Sequence, residues 1–410
     1  MDRLDQYRKI LTRYWGHTHF RPLQEELIKS VGEGIDTLGL MPTGGGKSIT
    51  FQIPALASPG ICIVITPLIA LMKDQVDRLK KMEIKAQAVH SGMTREEIDI
   101  ALDNCIYGDY KFLYISPERI RTELFRKRVA SMNVNLVAVD EAHCISQWGY
   151  DFRPSYLNIA EIKQYIQGEV PILALTATAT SKVVDDIMDK LGFRKKNVLK
   201  ASFERKNLVY LVRKVEDKNE YLLSTVSKVK GSGIIYVRSR KKTREIAQFL
   251  VANNIAADYY HAGLKREIKD KKQNAWSSGN PRVIVATNAF GMGIDKADVR
   301  FVMHWDIPDS IESYFQESGR AGRDGNKAWA VQLYYESDVK RVRDRVEAKF
   351  PPVEYIKNIY ELLCNFLQVP VGSGKNVVYD FNLAEFVTKY RLSVTQAYNS
   401  LKFLQRENYI

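Results

Sequence analysis

The sequence predicts an α/β protein: two doubly wound, parallel-sheet lobes, then a small helical region and a partial winged-helix-like end. Three observations predict it. Short apolar, β-rich runs alternate with helical patterns through most of the chain. A polar, basic stretch, Arg194–Asn207 (RKKNVLKASFERKN), splits that series in two. Beyond about Asp338 the β-rich runs stop and only helical spacing continues.

The first series places strands at Thr37–Met41, Ile61–Thr66, Phe112–Ser116, Leu136–Asp140 and Ile172–Thr176. The second places them at Ile234–Val237, Arg282–Thr287, Phe301–Trp305 and Ala328–Tyr334. Near-continuous apolar strands alternating with helices are the mark of parallel sheets covered on both faces, and two series imply two lobes. The expected domains are a first lobe at 1–204, a second at 205–338, a helical region at 339–372 and the winged-helix-like start at 373–410. The helical region opens with a charged helix, breaks at Pro351-Pro352 and runs to about Gln368. VPVGSGKN (369–376) reads as a flexible linker. Helical spacing returns at Leu383–Tyr390 and Val394–Glu407, with Ser393 as N-cap. Two helices and a short turn suit a helix-turn-helix or winged-helix start, with a generic helical hairpin as the alternative. The chain stops where a wing is expected, so a truncated domain is anticipated.

Composition narrows the class. The chain has 410 residues, 45% hydrophobic and 27% charged, which excludes disordered, collagenous and disulfide-scaffold proteins. Its formal charge is +13, which suggests a polyanionic partner. The excess is uneven: residues 1–204 carry 27 basic and 25 acidic side chains, residues 205–338 carry 23 and 16, and residues 339–410 carry 11 and 7. Cys62, Cys105, Cys144 and Cys364 form no CxxC pair, and free thiols in a reducing cytoplasm are expected. The charged N-terminus lacks the apolar core of an export signal. The uncharged stretch Ile53–Met72 has the length of a membrane span, but Pro54, Pro59, Gly60 and Pro67 break it into a helix end, a turn and a strand. No membrane association is expected.

The chemistry begins after the first strand, at Pro42-Thr43-Gly44-Gly45-Gly46-Lys47-Ser48, which precedes a helical pattern. Glycines let a loop wrap so that its amides face phosphate oxygens, and the helix N-terminus adds partial positive charge. Lys47 can reach β and γ phosphates and Ser48 can hold Mg²⁺. Met41 replaces the first glycine of the full GxxxxGK[ST] pattern. Such a loop needs an acid on a neighbouring strand, and Leu136–Val139 ends in Asp140-Glu141-Ala142-His143. Asp140 is the candidate Mg²⁺ ligand and Glu141 the candidate general base. His143 can link the site to the next strand end, Thr176-Ala177-Thr178. Upstream, Gln24 in FRPLQ can read an adenine edge through its amide, or simply belong to a helix beginning after Pro22. In the second series, Gln316-Glu-Ser-Gly-Arg320-Ala-Gly-Arg323-Asp sets two arginines three residues apart. A guanidinium supplied in trans to a γ phosphate accelerates transfer roughly 10³- to 10⁵-fold. An ordinary basic turn is the alternative.

Ten ordered motifs then define a resemblance: FRPLQ, TGGGKS, TPLIALMKDQ, SPER, DEAHCISQWGYDFRP, LTATAT, IIYVRSR, YHAGL, VIVATNAFGMGIDK and QESGRAGRDG. Over about residues 10–335 the chain resembles the RecQ family of DNA helicases, in helicase superfamily two. CISQWGYDFRP (144–154) most separates that family from other DEAH-type proteins.

The resemblance implies two RecA-like lobes, ATP hydrolysis, and 3′-to-5′ translocation on single-stranded DNA with unwinding of forked duplex DNA, in repair or recombination. It implies ATP and Mg²⁺ at Thr43, Gly44, Gly45, Gly46, Lys47, Ser48 and Asp140, with Glu141 as base. Arg21 and Gln24 would contact the adenine. Gln316, Arg320 and Arg323 would face the γ phosphate, Arg323 as the finger, and Asp295 would approach the ribose or couple the lobes. In the aromatic stretch Trp148 and Phe152 offer faces for base stacking, worth about 1–3 kcal/mol per base, and Arg153 a phosphate or cation–π contact; a buried aromatic core is the alternative. Ser239, Arg240, His261 and Thr287 would follow the DNA backbone without sequence preference.

Three departures stand out. His17 occupies the position where the family stacks an aromatic on the adenine. Only Cys364 lies where the family's zinc subdomain has four cysteines, so no Cys₄ zinc site is expected. The winged helix is expected to be incomplete, without the accessory domain of the family. A monomer acting in the bacterial cytoplasm or nucleoid is expected. The competing readings are an RNA helicase or clamp, and a DNA-stimulated ATPase scaffold that does not unwind.

Overall fold

A computed structural model describes residues 3–148, 151–291, 296–374 and 376–410. The first lobe runs α1 (Arg3–Trp15), α2 (Gln24–Gly32), β1 (Thr37–Leu40), α3 (Lys47–Ala57), β2 (Ile61–Ile65), α4 (Ile69–Lys81), β3 (Ala86–Val89), α5 (Arg95–Tyr107), β4 (Phe112–Ile115), α6 (Glu123–Val129), β5 (Val134–Val139), β6 (Ile172–Thr176), α7 (Ser181–Lys190) and β7 (Val198–Lys200). Its seven described strands are parallel, in the order β3-β4-β2-β5-β6-β1-β7. All residues of β1, β2, β4 and β6 are buried, which explains their unbroken apolar runs. Both faces carry a core: Ile63, Ile65, Val137 and Val139 on one side, Cys62, Val64, Leu136 and Ala138 on the other.

The second lobe runs β8 (Leu208–Lys214), α8 (Lys218–Lys228), β9 (Ser232–Tyr236), α9 (Arg240–Ala252), β10 (Ala257–Tyr260), α10 (Arg266–Ser277), β11 (Val283–Ala286), β12 (Val299–His304), α11 (Ile311–Ser318) and β13 (Ala328–Tyr334). The strand order is β10-β11-β9-β12-β13-β8. Trp276, Phe290 and Tyr260 pack together beneath it.

Residues 1–211 with 219–332, which hold most of both lobes, form one compact unit, and residues 212–218 with 333–410 form a second. The second unit contains α12 (Glu336–Lys349), α13 (Val353–Phe366), α14 (Leu383–Lys389) and α15 (Val394–Arg406). Helices on both sides of the 369–376 linker share one core, with Ile359, Leu363, Phe386 and Ala397. Ser393 caps α15 by accepting from Gln396 N. Lys218 donates to Asp338 across 2.6 Å in a buried pair.

The stretch 194–207 is not wholly a connector. Val198–Lys200 pairs with β1 as an edge strand of the first lobe, and only the residues after it join the lobes. Strands β3, β8 and β10 were also absent from the sequence reading. All four missed strands are sheet edges. An edge strand meets solvent on one side, so it carries a mixed run such as ADYY rather than an apolar one.

Candidate nucleotide site and nucleic-acid interface

The sheet order explains why the first-lobe motifs meet. β1 and β5 both pair with β6, so the loop after β1 and the acids after β5 share the carboxyl edge of neighbouring strands. Gly44 and Gly46 adopt φ of 78° and 76°, a region closed to most side chains, and Lys47 opens α3. Any helix start leaves its first amides unbonded within the helix, and here they follow the loop directly.

The loop is gripped through its carbonyls. Gln24 Nε2 donates to Gly45 O and Gly46 O at 3.3 and 3.1 Å, while Gln24 Oε1 accepts from Arg21 N at 2.9 Å. Arg21 Nη1 donates to Gly44 O at 2.7 Å. Arg205 Nη1 donates to Thr43 O at 3.1 Å. Ser48 Oγ accepts from Gln75 Nε2 at 3.0 Å.

At the end of β5, Glu141 has φ 50°, a left-handed conformation that costs any residue carrying a Cβ. Its amide donates to Asp140 Oδ1 at 3.0 Å, and Tyr156 OH donates to Asp140 O at 3.0 Å. His143 Nδ1 lies 2.9 Å from Thr176 Oγ1 and 3.5 Å from Glu141 Oε2, so the histidine does link the acids to the end of β6. Burial, and then the Glu141 charge, push Asp140 up to about 6, with Lys47 opposing. Burial works to raise Glu141 as well, but Lys47, His143, Arg320 and Arg153 together hold it below its ordinary value. Burial lowers His143, against the opposing pull of the Glu141 charge.

A cavity of about 700 Å³ collects most of the predicted set, though Gly45 does not line it. Its lining includes His17, Arg21 and Gln24, then Thr43, Gly44, Gly46, Lys47 and Ser48, then Asp140 and Glu141. From the second lobe it receives Gln316, Arg320 and Arg323, at the end of α11 and just beyond. The lobes are closely apposed there. A Cβ on Gly319 would stand 2.0 Å from Thr43 Oγ1, and one on Gly44 would stand 3.0 Å from Arg323 Cγ. Arg320 donates to Gly291 O within its own lobe. Asp295 lies outside the described residues, as do Gly149 and Tyr150 of the aromatic stretch.

The residues read as nucleic-acid contacts fall into two groups. Trp148 is 64% exposed, with Lys182 Nζ 3.1 Å above its ring, so it is not core. Phe152 is half-buried. Arg153 donates to Asp151 Oδ2 and to Pro67 O, tying the aromatic stretch to the loop after β2. In the second lobe Ser239, His261 and Thr287 follow β9, β10 and β11, three adjacent strands, and form a row at their carboxyl ends. Ser239 caps α9, its hydroxyl accepting from Lys242 N at 3.0 Å. Arg240 covers Gly263, and the buried His261 stacks on Tyr259. The sequence reading missed Arg205 and the role of Gln75. Gln75 lies inside a quoted motif, whereas nothing local marks Arg205 among its basic neighbours.

A P-loop and paired acids on one parallel-sheet lobe, faced by arginines from a second, define a two-lobed nucleoside-triphosphatase core of the helicase type. Family models agree: DEAD/DEAH box helicase matches residues 21–187 and Helicase conserved C-terminal domain matches 217–325. The chain is 44% identical over 346 residues to the ATP-dependent DNA helicase RecQ of Bacillus subtilis, covering 84% of this chain and 58% of that protein. It is 34% identical over 410 residues to the probable ATP-dependent DNA helicase RecS of the same organism, covering 98% of this chain and 82% of the relative. Among solved structures, Mycobacterium smegmatis helicase Lhr bound to ssDNA and AMP-PNP matches with TM-score 0.67 at 20% identity, over 83% of this chain and 50% of that one. S. cerevisiae Dbp5 bound to RNA and ADP BeF3 matches with TM-score 0.64 at 17% identity, over 85% and 93%. These two show the fold. The chain belongs to the RecQ family of ATP-dependent DNA helicases, and it spans 58% or less of the first three RecQ relatives it matches.

Proposed function

We propose that this chain is an ATP-driven motor that moves 3′-to-5′ along single-stranded DNA and unwinds forked duplexes in DNA repair or recombination. The observation that carries the reading is the shared cavity: Lys47, Asp140 and Glu141 of one lobe with Gln316, Arg320 and Arg323 of the other. Hydrolysis that needs both lobes couples nucleotide state to lobe closure, and closure performs the mechanical step.

The triphosphate lies on the loop amides and the start of α3, with Lys47 on its outer phosphates. His17, Arg21 and Gln24 take the adenine end, where Gln24 must exchange its hold on Gly45 and Gly46 for the base. Ser48 and Asp140 suit Mg²⁺: both offer hard oxygens, and burial with the Glu141 charge raises the Asp140 carboxyl to about 6 despite Lys47, so its charge is only partly compensated. When bound, Mg²⁺ neutralises charge developing on the phosphates. Glu141, with Oε2 buried and not hydrogen-bonded, accepts the proton of the water that attacks the γ phosphorus as the bond to the ADP oxygen breaks. Arg323 stabilises the transferring group, with Arg320 and Gln316 beside it. Trp148, Phe152 and Arg153 stack and steer the strand in the first lobe. Ser239, Arg240, His261 and Thr287 hold its backbone in the second.

The functional division we propose is 1–204, 205–338, 339–372 and 373–410. One cysteine after the second lobe, Cys364, cannot supply a Cys₄ site, so the C-terminal unit is proposed to fold without zinc. The four cysteines are free, and among the described residues no helix is long and apolar enough to cross a membrane. Action as a monomer in the cytoplasm or on the nucleoid is proposed.

The test is ATP hydrolysis by the purified chain alone, with single-stranded DNA and with RNA, alongside unwinding of a forked duplex. DNA-stimulated turnover with unwinding is expected, and Glu141→Gln should bind ATP yet turn over about 10²- to 10⁴-fold more slowly. An identical rate with and without DNA overturns the motor. Stimulation without unwinding reduces it to an ATPase scaffold, and preference for RNA changes the substrate.

A further inference from the structure

Two of the three side chains gripping the P-loop carbonyls, Arg21 and Gln24, belong to the first lobe. The third, Arg205, comes from the segment that joins the lobes. Its Nη1 donates to Thr43 O at 3.1 Å and Gly319 O at 3.5 Å, and its Nη2 to Ala321 O at 3.0 Å and Gly322 O at 2.8 Å. Its Nε approaches Asn207 Oδ1 at 3.4 Å. One planar group therefore spans the nucleotide loop and the turn that carries Arg320 and Arg323.

Every one of these partners is a neutral oxygen. Three are carbonyls just past the end of α11, where a helix leaves acceptors unsatisfied and its dipole favours a cation. Arg205 thus also covers the partial negative charge at the end of α11. The geometry demands a guanidinium. An ammonium is a point charge with three donors on one atom and cannot address Thr43 and the α11 turn in the same plane, and arginine keeps its charge where lysine gives it up on burial.

We propose that Arg205 is a positioning residue that latches the closed lobes, holding the P-loop and the arginine-bearing turn in register so that Arg323 meets the triphosphate. The proposal rests on reading the shared cavity as an ATP site completed by closure. Of its hydrogen bonds only that to Thr43 O crosses to the first lobe. In an open molecule Arg205 stays seated on the second lobe, and docking adds the bond that counts. Its removal therefore weakens closure rather than the folding of either lobe.

The test uses the full chain with a donor–acceptor dye pair on Ile100→Cys of α5 and Val251→Cys of α9, both exposed positions, in a Cys364→Ser background. Energy transfer is read with single-stranded DNA and a non-hydrolysable ATP analogue. Nucleotide affinity, kcat, KM and thermal midpoint are measured in parallel on the undyed chain. For Arg205→Gln we expect nucleotide affinity within about threefold of the parent, a clear loss of the analogue-induced high-transfer state, and kcat reduced about tenfold or more, as for a lost charge-assisted hydrogen bond. Arg205→Lys, which can still serve the α11 carbonyls, should keep the parent thermal midpoint and lose closure almost as fully; it decides the matter if the glutamine variant is unstable. Parent-like closure and kcat in a stable variant overturn the latch and leave the motor intact. A parent chain that shows no closure overturns the motor reading itself, and the latch with it.

Discussion

Glu141 is held at φ 50° while its amide bonds the neighbouring carboxylate, so the turn after β5 aims two acids at one cavity instead of letting them splay. Crowding has a chemical consequence. Asp140, pushed up to about 6, is protonated below that pH and then cannot serve a cation; above it the carboxylate is available. ATPase activity should therefore fall as pH drops through about 6, and raising Mg²⁺ should move that acid limb to lower pH. A flat profile between pH 5 and 7 would contradict the assignment. Trp148, exposed beneath a lysine, lies outside the core, and we propose that it stacks on a base. Trp148→Ala should lower the ratio of DNA-stimulated to DNA-free turnover severalfold, because about 1–3 kcal/mol of stacking is lost. Equal loss of both rates would make the loop structural. The P-loop, the acids and the paired arginines were legible because each needs a fixed local spacing of special residue types. Arg205 was not, because its meaning lies in carbonyls of Thr43, Ala321 and Gly322 that no spacing encodes.

At the scale of elements, one constraint outside the site is Asp36, buried between α2 and β1. Its carboxylate accepts from Ile172 N at 2.8 Å, Arg194 N at 3.0 Å and Arg194 Nε at 3.1 Å, so the starts of β1 and β6 and the chain after α7 are pinned to one group. Burial opposes its charge, yet Arg194 and the two amides win and hold its carboxyl below the usual range. The sign follows: a depressed carboxyl stabilises the fold above its unfolded value near 3.9, and that contribution fades as pH falls below it. Asp36→Ala should cost about 3 kcal/mol in denaturant unfolding at neutral pH, with a smaller difference near pH 3. A cost that does not change with pH would contradict the ion-pair account. The interior strands were all readable from their apolar runs, whereas the four edges, β3, β7, β8 and β10, were not. Burial on both sides writes a strand into the sequence, and burial on one side leaves it ambiguous.

At the scale of the two-lobed unit, Gly319 lies against Thr43, where an added Cβ would stand 2.0 Å from its hydroxyl. Gly319 has φ −64°, which any residue adopts, so glycine is needed there for space and not for conformation. Gly319→Ala should leave the thermal midpoint unchanged or slightly raised and yet reduce kcat several-fold by obstructing docking; adding Thr43→Ala should restore part of the closure measured by energy transfer. An alanine variant with parent kcat would show that the apposition is dispensable.

The amino-acid sequence by itself determined the class of fold and its two lobes, and singled out the loop and acids of the candidate nucleotide site, because apolar periodicity and local motif spacing need no partner from elsewhere in the chain. Only the tertiary structure decided which carbonyls Arg21, Gln24 and Arg205 hold, how the second lobe's arginines reach the first lobe's cavity, and which strands close the sheets. Those outcomes depend on groups distant in sequence, from 21 residues for Gln24 and Gly45 to 162 for Arg205 and Thr43, being brought within hydrogen-bonding distance, and that proximity exists only once the chain has packed.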